Sequence, residues 1–493
     1  MSKRCCKACV IGFAVLLFIG AAVLPLAMER LEHIQIYELM SLDPDSSFYP
    51  FWRDIPIPFY QQYYFFNVLN KEEILKGEKP CVEQIGPYTY RQYINRSDIS
   101  LNANGTVSYR LKQTYVFQRK LSVGDEDDMF TTLNIPLMVL ADMVESKPWI
   151  VREIMEEMLK IEKEELFVRL SVRQLILGYP EPLFKILQKI VGKKIIPSNH
   201  FGFLLDRNGT DTGLFTVNSG KNNKWMLNKI DRWNGISKLN YWNSEMANTI
   251  NGTDGSMFHP YICKREVLNV FIPDMCRSIP YLYQEETSYM DVKLWRFSLA
   301  QYTYANGTDY APNQGFCTRG CLPSGLLDIG ACRGGARMSL SNPHFFEGDP
   351  ELAAAIVGLS PNQDNHQNYM DIERIMGLPW RVEARVQLNV FARQVKMIKQ
   401  TGNIRTVHFP VLWFEQKILI TDAVVDIYKN KLVISTLIAS IIQYVFIVLG
   451  CIFSVSVIIL AVKKWRCRKS VTVQSNSTVS TEKQPLLCNA PVN

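Results

Sequence analysis

Histidine is scarce in this 493-residue chain: His33, His200, His259, His344, His366 and His408 are the whole complement. The six are dispersed and form no metal-ligand pair at helical spacing. Also missing are a phosphate-binding GxxxxGK-S/T loop, an HExxH helix and a GxSxG elbow. Acidic residues are plentiful, but nothing singles out a catalytic pair. An enzymatic reading therefore has no residue to carry it, and the expectation is a protein that is not an enzyme and needs no cofactor. Low-complexity tracts and obvious internal repeats are missing too.

A more local absence is that of charge. Val10 to Met28 ("VIGFAVLLFIGAAVLPLAM") is 19 residues without a charged side chain, and Leu432 to Val462 is 31. About 20 apolar residues cross a bilayer as a helix, so both stretches read as transmembrane helices, at 10–28 and 432–462. The second exceeds what a span needs and predicts a tilt or an interfacial lead-in. The first reads as an uncleaved signal-anchor. Its apolar run is longer than the usual ~7–15 residues of a cleaved signal, and no small-x-small site follows.

Positive charge collects on the cytoplasmic side of a membrane. Lys3, Arg4 and Lys7 precede the first span, and Lys463, Lys464, Arg466, Arg468 and Lys469 follow the second. Both termini are thus expected in the cytosol (residues 1–9 and 463–493), with residues 29–431 outside or in a lumen. Much of the net charge of +7 sits at these ends, so it asks for no nucleic-acid partner. Asn95, Asn104, Asn208, Asn251 and Asn306 each begin an N-glycosylation sequon between the spans, whereas Asn476 lies beyond them.

In this topology Cys5, Cys6 and Cys9 lie in reducing cytosol beside basic residues, where they cannot staple a fold. They, with Cys467, are candidates for S-palmitoylation. The tail carries "EKQPLL": Glu482, Leu486 and Leu487 match the acidic dileucine pattern read by clathrin adaptors, which predicts endosomal or lysosomal delivery.

Between the spans, strand signals dominate. "VEARVQLNVFA" puts Val382, Ala384, Val386, Leu388, Val390 and Ala392 on one face at period two. "TVSYRLKQTYVFQ", "QQYYFFNVLN" and "GPYTYRQYI" are strand-like and aromatic, while "NANG", "DRNG", "INGTDG" and "YANGTD" suit turns. A large antiparallel sheet or barrel is indicated. From about Pro136 to Val191 the period turns helical. Ile154, Met158 and Ile161 form one stripe with Met155 and Leu159 beside it, and Leu183, Ile186, Leu187 and Ile190 form another. Two readings stay open here. One is a pair of helices packed on each other with solvated charged faces, acidic then basic. The other is a docking patch, since methionine-rich helical surfaces re-pack around varied partners. The six cysteines between the spans (Cys81, Cys263, Cys276, Cys317, Cys321 and Cys332) suggest disulfides in fifteen formal pairings.

Many stretches, in order along the chain, resemble the class B scavenger receptor family: "YYFFNVLNKEEILKGEKP", "IGPYTYR", "SVGDEDDM", "INGTDGSMFHP", "DMCRSI", "NQGFC", "SNPHFFEGDP", "GLSPNQDNH" and "TGNIRTVHFPVLWFEQ". "REIMEEMLK" and the dileucine tail are similar to the lysosomal branch, "IPIPFY" and "WNGISKLNYW" to the type I receptor branch. The resemblance implies an α+β membrane protein: a β-barrel-like ectodomain, a helical bundle at its apex and an apolar tunnel toward the membrane. It implies the bridges Cys276–Cys332 and Cys317–Cys321; Cys81 and Cys263 have no obvious counterparts in the family and are read separately as a third bridge, and Ala247 stands where relatives often place a cysteine. It further implies a ligand-binding apex, here Ile154, Met155, Met158, Leu159 and Lys163. In the lysosomal branch the apex carries β-glucocerebrosidase and a pH-sensing histidine, a position that Trp149 occupies in this sequence.

The expected function is a receptor that binds lipids or lipoproteins and passes sterol, fatty acid or carotenoid-like molecules to the membrane. A lysosomal trafficking receptor for a soluble hydrolase is the alternative. A trimeric two-span channel is a third, hinted at by Ser435, Thr436, Ser440 and Gln443. The expected partners are lipids, lipoproteins, the membrane and clathrin adaptors, with a hydrolase and a homo-oligomer as further expectations. The expected location is the plasma membrane, the endosomal-lysosomal membrane, or both.

Overall fold

The computed structural model describes residues 2–191, 198–205, 207–429 and 434–478. The chain begins as one long helix, α1 (Ser2–Met40), then a short helix, α2 (Tyr49–Arg53). Strand β1 (Phe59–Val68) leads through α3 (Lys71–Ile74) into a hairpin of β2 (Val82–Leu101) and β3 (Thr106–Phe117). A paired β4 (Met129–Leu133) and β5 (Phe167–Ser171) bracket α4 (Ile135–Glu145) and α5 (Trp149–Ile161). Next come α6 (Val172–Leu177), β6 (Tyr179–Pro180), α7 (Pro182–Val191) and β7 (His200–Phe201).

The second half adds β8 (Asp211–Asn218), β9 (Ile230–Trp233), α8 (Glu245–Asn248), β10 (Val267–Ile272), β11 (Arg277–Tyr289) and β12 (Val292–Leu299). It continues with β13 (Leu327–Asp328), β14 (Met338–Ser341), α9 (Pro350–Ala354), α10 (Gln363–His366) and β15 (Tyr369–Glu373). The long strands β16 (Leu378–Ala392) and β17 (Val407–Leu419) precede α11 (Asp422–Tyr428) and α12 (Ile434–Thr478).

Two compact units result. One comprises Met1–Gln35 with Asp422–Asn493, the other Ile36–Thr421. In the first, the segment Ser440–Arg466 of α12 is long and apolar enough to cross a bilayer, the one such helix among the described residues. Its 27 residues reach about 40 Å at 1.5 Å per residue. In α1 the described apolar side chains Phe13, Val15, Leu16, Ile19, Val23 and Leu26 are exposed, and the Phe13 ring meets Phe453 edge-on.

The second unit is built on the large antiparallel sheet that the strand signals predict. Thirteen strands join, in the order β10-β11-β12-β15-β16-β17-β1-β2-β3-β8-β9, with β13 and β14 attached through β16. The turn signals do local work. In "NANG" the Gly105 N–H reaches the Asn102 carbonyl with φ +80°, a region costly for a residue with a Cβ, and β2 turns into β3.

Strand β16 departs from the alternation read in its sequence. The expected apolar face includes buried Val386, Val390 and Ala392, but Glu383, Arg385, Gln387 and Asn389 between them are buried as well. The polar side chains find partners instead of water. Arg385 sits between Glu383 and Glu415, the latter at 2.8 Å, and Gln387 donates to Asn389 at 2.8 Å. A strand paired on both sides and covered on both faces has no solvent face to display.

Cys276 is bridged to Cys332 and Cys317 to Cys321. Cys81 and Cys263, expected as a third bridge, are free thiols. Cys81 pairs with Val357 next to β2, while Cys263 lies before β10, the far strand of the sheet order.

Candidate functional site

The helical expectation for residues 136–191 resolves into four helices interrupted by β5 and β6. Helix α4 is its foundation. Asn134 caps it by accepting the Leu137 N–H at 3.0 Å and donates through its amide to Glu164 at 2.8 Å. Ile135, Leu137, Met138, Leu140, Ala141 and Val144 are buried with Phe66, Val411 and Trp413 in one core cluster. Helices α5 and α7 both pack against α4, which gives each a common seat.

Charge fixes α4 to the sheet. Arg393, just past β16, donates to Asp142 at 2.7 Å and to Glu145 at 2.9 Å, and Arg337 approaches Asp142 at 3.0 Å. The Asp142 carboxylate is buried, and a buried charge is tolerated only when paired in this way.

Helix α5 presents two apolar stripes about 100° apart around its axis. The buried one is Met155 and Leu159, each 1% exposed, so these two cannot face a ligand and drop out of the expected binding set. Between them Glu156 is buried and accepts the Lys399 N–H at 2.9 Å, which docks the helix on the loop after β16. The second stripe faces outward: Ile154 is 55% exposed and Ile161 74%, with Ile150 exposed and Met158 half-buried; Trp149, also exposed, lies about 140° around the axis from Ile154. The expected stripe of Ile154, Met158 and Ile161 is therefore the outer one. Lys163 is exposed and takes a left-handed conformation at φ +56°. The following N–H, of Glu164, returns to the Leu159 carbonyl at 2.9 Å and closes the helix end.

Two carboxyl groups beneath the helices are displaced from their ordinary range. Glu181 accepts the Leu183 N–H at the start of α7 and is 3% exposed. Burial first, then neighbouring Glu164, pushes its carboxyl up to about 7 against the bonds from Leu183 and Tyr179 that oppose the shift. Burial also raises Glu164, opposed by its bond from Asn134.

Beside the Arg337 tie, a cavity of about 80 Å³ opens among β13, β14, β16 and β17. Leu322, Met338 and Phe391 supply apolar walls, Ser339 and His408 polar ones, and Arg319, Arg337 and Asp328 the charged groups. Sequence reasoning missed both the arginine tie and this cavity. Their members come from separate short segments of the chain, and no local pattern marks them.

The other expected sites fall as follows. Asn95, Asn104, Asn208 and Asn251 are exposed; Asn306 is half-buried and donates to the Leu322 carbonyl at 2.9 Å. Cys5, Cys6, Cys9 and Cys467 lie in α1 and α12, with their side chains outside the described residues. Glu482, Leu486 and Leu487 lie outside the described residues altogether.

The CD36 family pattern matches residues 10–461, which takes in the whole sheet, the helices on α4 and both disulfides. The chain belongs to the CD36 family. Scavenger receptor class B member 1 of Bos taurus is 34% identical over 454 residues, 92% of this chain and 89% of that protein. Lysosome membrane protein 2 of Homo sapiens is 35% identical over 466 residues, 93% and 96% of the two chains. The protein of that name in Mus musculus is 35% identical over 456 residues. The two kinds of relative are equally distant, so identity alone does not choose between a scavenger receptor and a lysosomal membrane protein.

Proposed function

We propose that this CD36-family protein is a membrane receptor that captures lipids or lipoprotein particles on α5 and passes lipid through its ectodomain to the bilayer. The observation that carries the reading is the outward stripe of Ile150, Ile154 and Ile161 on a helix whose buried side, Met155 and Leu159, is firmly seated. Contiguous exposed apolar residues rimmed by polar ones mark interaction sites. The rim here is mixed, with Glu153, Glu157, Glu162 and Lys163 exposed, which suits a zwitterionic lipid surface. A dry conduit would spare apolar cargo exposure to water at ~25 cal/mol per Å².

In this reading two helices anchor the protein with both termini cytosolic. The sequons carry glycans, the juxtamembrane cysteines carry palmitate, and Glu482, Leu486 and Leu487 engage clathrin adaptors. A second reading, hydrolase trafficking in lysosomal membranes, is favoured by the relatives named lysosome membrane protein 2. It uses the same helix and tail.

Replacing Ile154 and Ile161 together by Asp tests the site, because both are exposed and neither supports the core. Lipoprotein binding to cells expressing the variant should drop at least tenfold at unchanged surface level. Retained binding refutes the role given to α5. Co-precipitation of a lysosomal hydrolase through the native helix, with no lipoprotein bound, would select the second reading.

A further inference from the structure

The cavity among β13, β14, β16 and β17 has two polar atoms in its lining with no hydrogen-bond partner among the described residues, the Ser339 hydroxyl and His408 Nδ1. Ser339 is 2% exposed, and the His408 ring nitrogen is itself buried. Leaving such groups unpaired costs about 1–3 kcal/mol each, and each such case in a native fold calls for a reason. Sheet register explains why they share a wall. Ser339 pairs with Asn389 and Phe391 with His408, so alternation puts Ser339, Phe391 and His408 on one face across β14, β16 and β17.

The charges near the cavity are already matched. Arg337 approaches Asp142 at 3.0 Å, and Arg319 approaches Asp328 at 3.6 Å. Burial holds the His408 imidazole neutral down to about 4. What is left uncompensated is neutral: one hydroxyl and one imidazole nitrogen, walled by Leu322, Met338 and Phe391. A carboxylate placed here would add a third negative charge beside Asp142 and Asp328, with no free cation among the described residues lining the cavity to answer it. An alcohol brings one donor and one acceptor and no charge.

We propose that this cavity is a binding site for the hydroxyl head of a neutral amphiphile, an alcohol on an apolar body, held by Ser339 and His408. The 80 Å³ accommodates about five or six water-sized groups, enough for a hydroxyl and a few carbons. The rest of the ligand leaves between Arg319 and Arg337, whose side chains are partly exposed at the cavity. The inference rests on the lipid-receptor reading only for the biological origin of the alcohol.

The test is calorimetric titration of the full chain in lipid nanodiscs, corrected with empty discs, using 1-hexanol and hexanoate as probes. Hexanol should bind saturably and at least tenfold tighter than hexanoate. Ser339→Ala should weaken hexanol about tenfold while leaving the melting temperature unchanged or higher, since it deletes a buried hydroxyl with no partner. Leu322→Trp, which fills the wall, should abolish binding. Equal affinity for the two probes, or hexanol affinity untouched by both substitutions, overturns the assignment. Because the assay reads binding and not uptake, loss of lipoprotein capture on α5 with hexanol binding intact would sink the receptor reading alone.

Discussion

Arg393→Met should loosen α4 from the sheet. Three hydrogen bonds of ordinary length run from the Arg393 guanidinium, two to Asp142 at 3.1 and 2.7 Å and one to Glu145 at 2.9 Å. The Asp142 side chain is 6% exposed, whereas that of Glu145 is 32% exposed and can rehydrate. Breaking a fully buried pair by removing one partner costs about 3–5 kcal/mol, mostly for the charge left behind. Here Arg337 stays on the other oxygen of Asp142 at 3.0 Å, so the expected cost is about 2 kcal/mol. That is a roughly thirtyfold rise in the population of states with α4 open.

Amide hydrogen exchange reads this directly, because the opening is local and a global melt would dilute it. Protection of Leu140–Glu145 should drop by that factor in Arg393→Met, with the β1–β2 amides unchanged. Arg337→Met is the control: its side chain is 42% exposed, and exposed pairs contribute about 0–1 kcal/mol. Adding Asp142→Leu to Arg393→Met should recover most of the loss by removing the stranded charge. If Arg393→Met exchanges no faster than Arg337→Met, or the double variant is worse than the single, the buried carboxylate is not what makes the tie matter.

A second expectation concerns pH. With its folded value raised to about 7, Glu181 keeps its proton in the folded state while the unfolded chain loses it from about 4.5 upward. The folded state then binds more protons, so stability declines as pH climbs from about 4.5 through 7. Exchange protection in α7 should be stronger at pH 5 than at pH 7.5, and Glu181→Gln should flatten that difference. In the sheet, Arg385→Met strands the buried Glu415, while Arg381 stays on Glu383 at 2.8 Å, so the expected cost is about 3 kcal/mol, the lower end for a broken buried pair. Poor recovery of folded protein should result, relieved in part by Glu415→Gln. Opening Cys276–Cys332, which spans 56 residues, should cost about 4 kcal/mol in the chain-entropy model, against about 2 for Cys317–Cys321 with a separation of four. Denaturant midpoints of the paired Cys→Ser variants check the order.

What sequence could and could not reveal follows one physical line. Features decided by neighbours in the chain are legible: the turn at Asn102–Gly105, the aromatic strand β1, the apolar segment of α12. Features decided by a distant partner are not. Glu383 and Arg385 look like solvent-facing residues until Glu415, some thirty positions on, is laid beside them. Both stripes of α5 satisfy helical spacing equally; the choice of Met155 and Leu159 for burial is made by α4 and by Lys399, 243 residues from Glu156. The same holds for Ser339 and His408, brought to one wall only by the pairing of β14, β16 and β17. Apolar burial is cheap to satisfy with many partners, so periodicity alone forecasts it. A buried polar atom needs one particular partner at one distance, and that requirement is written in the register of the sheet.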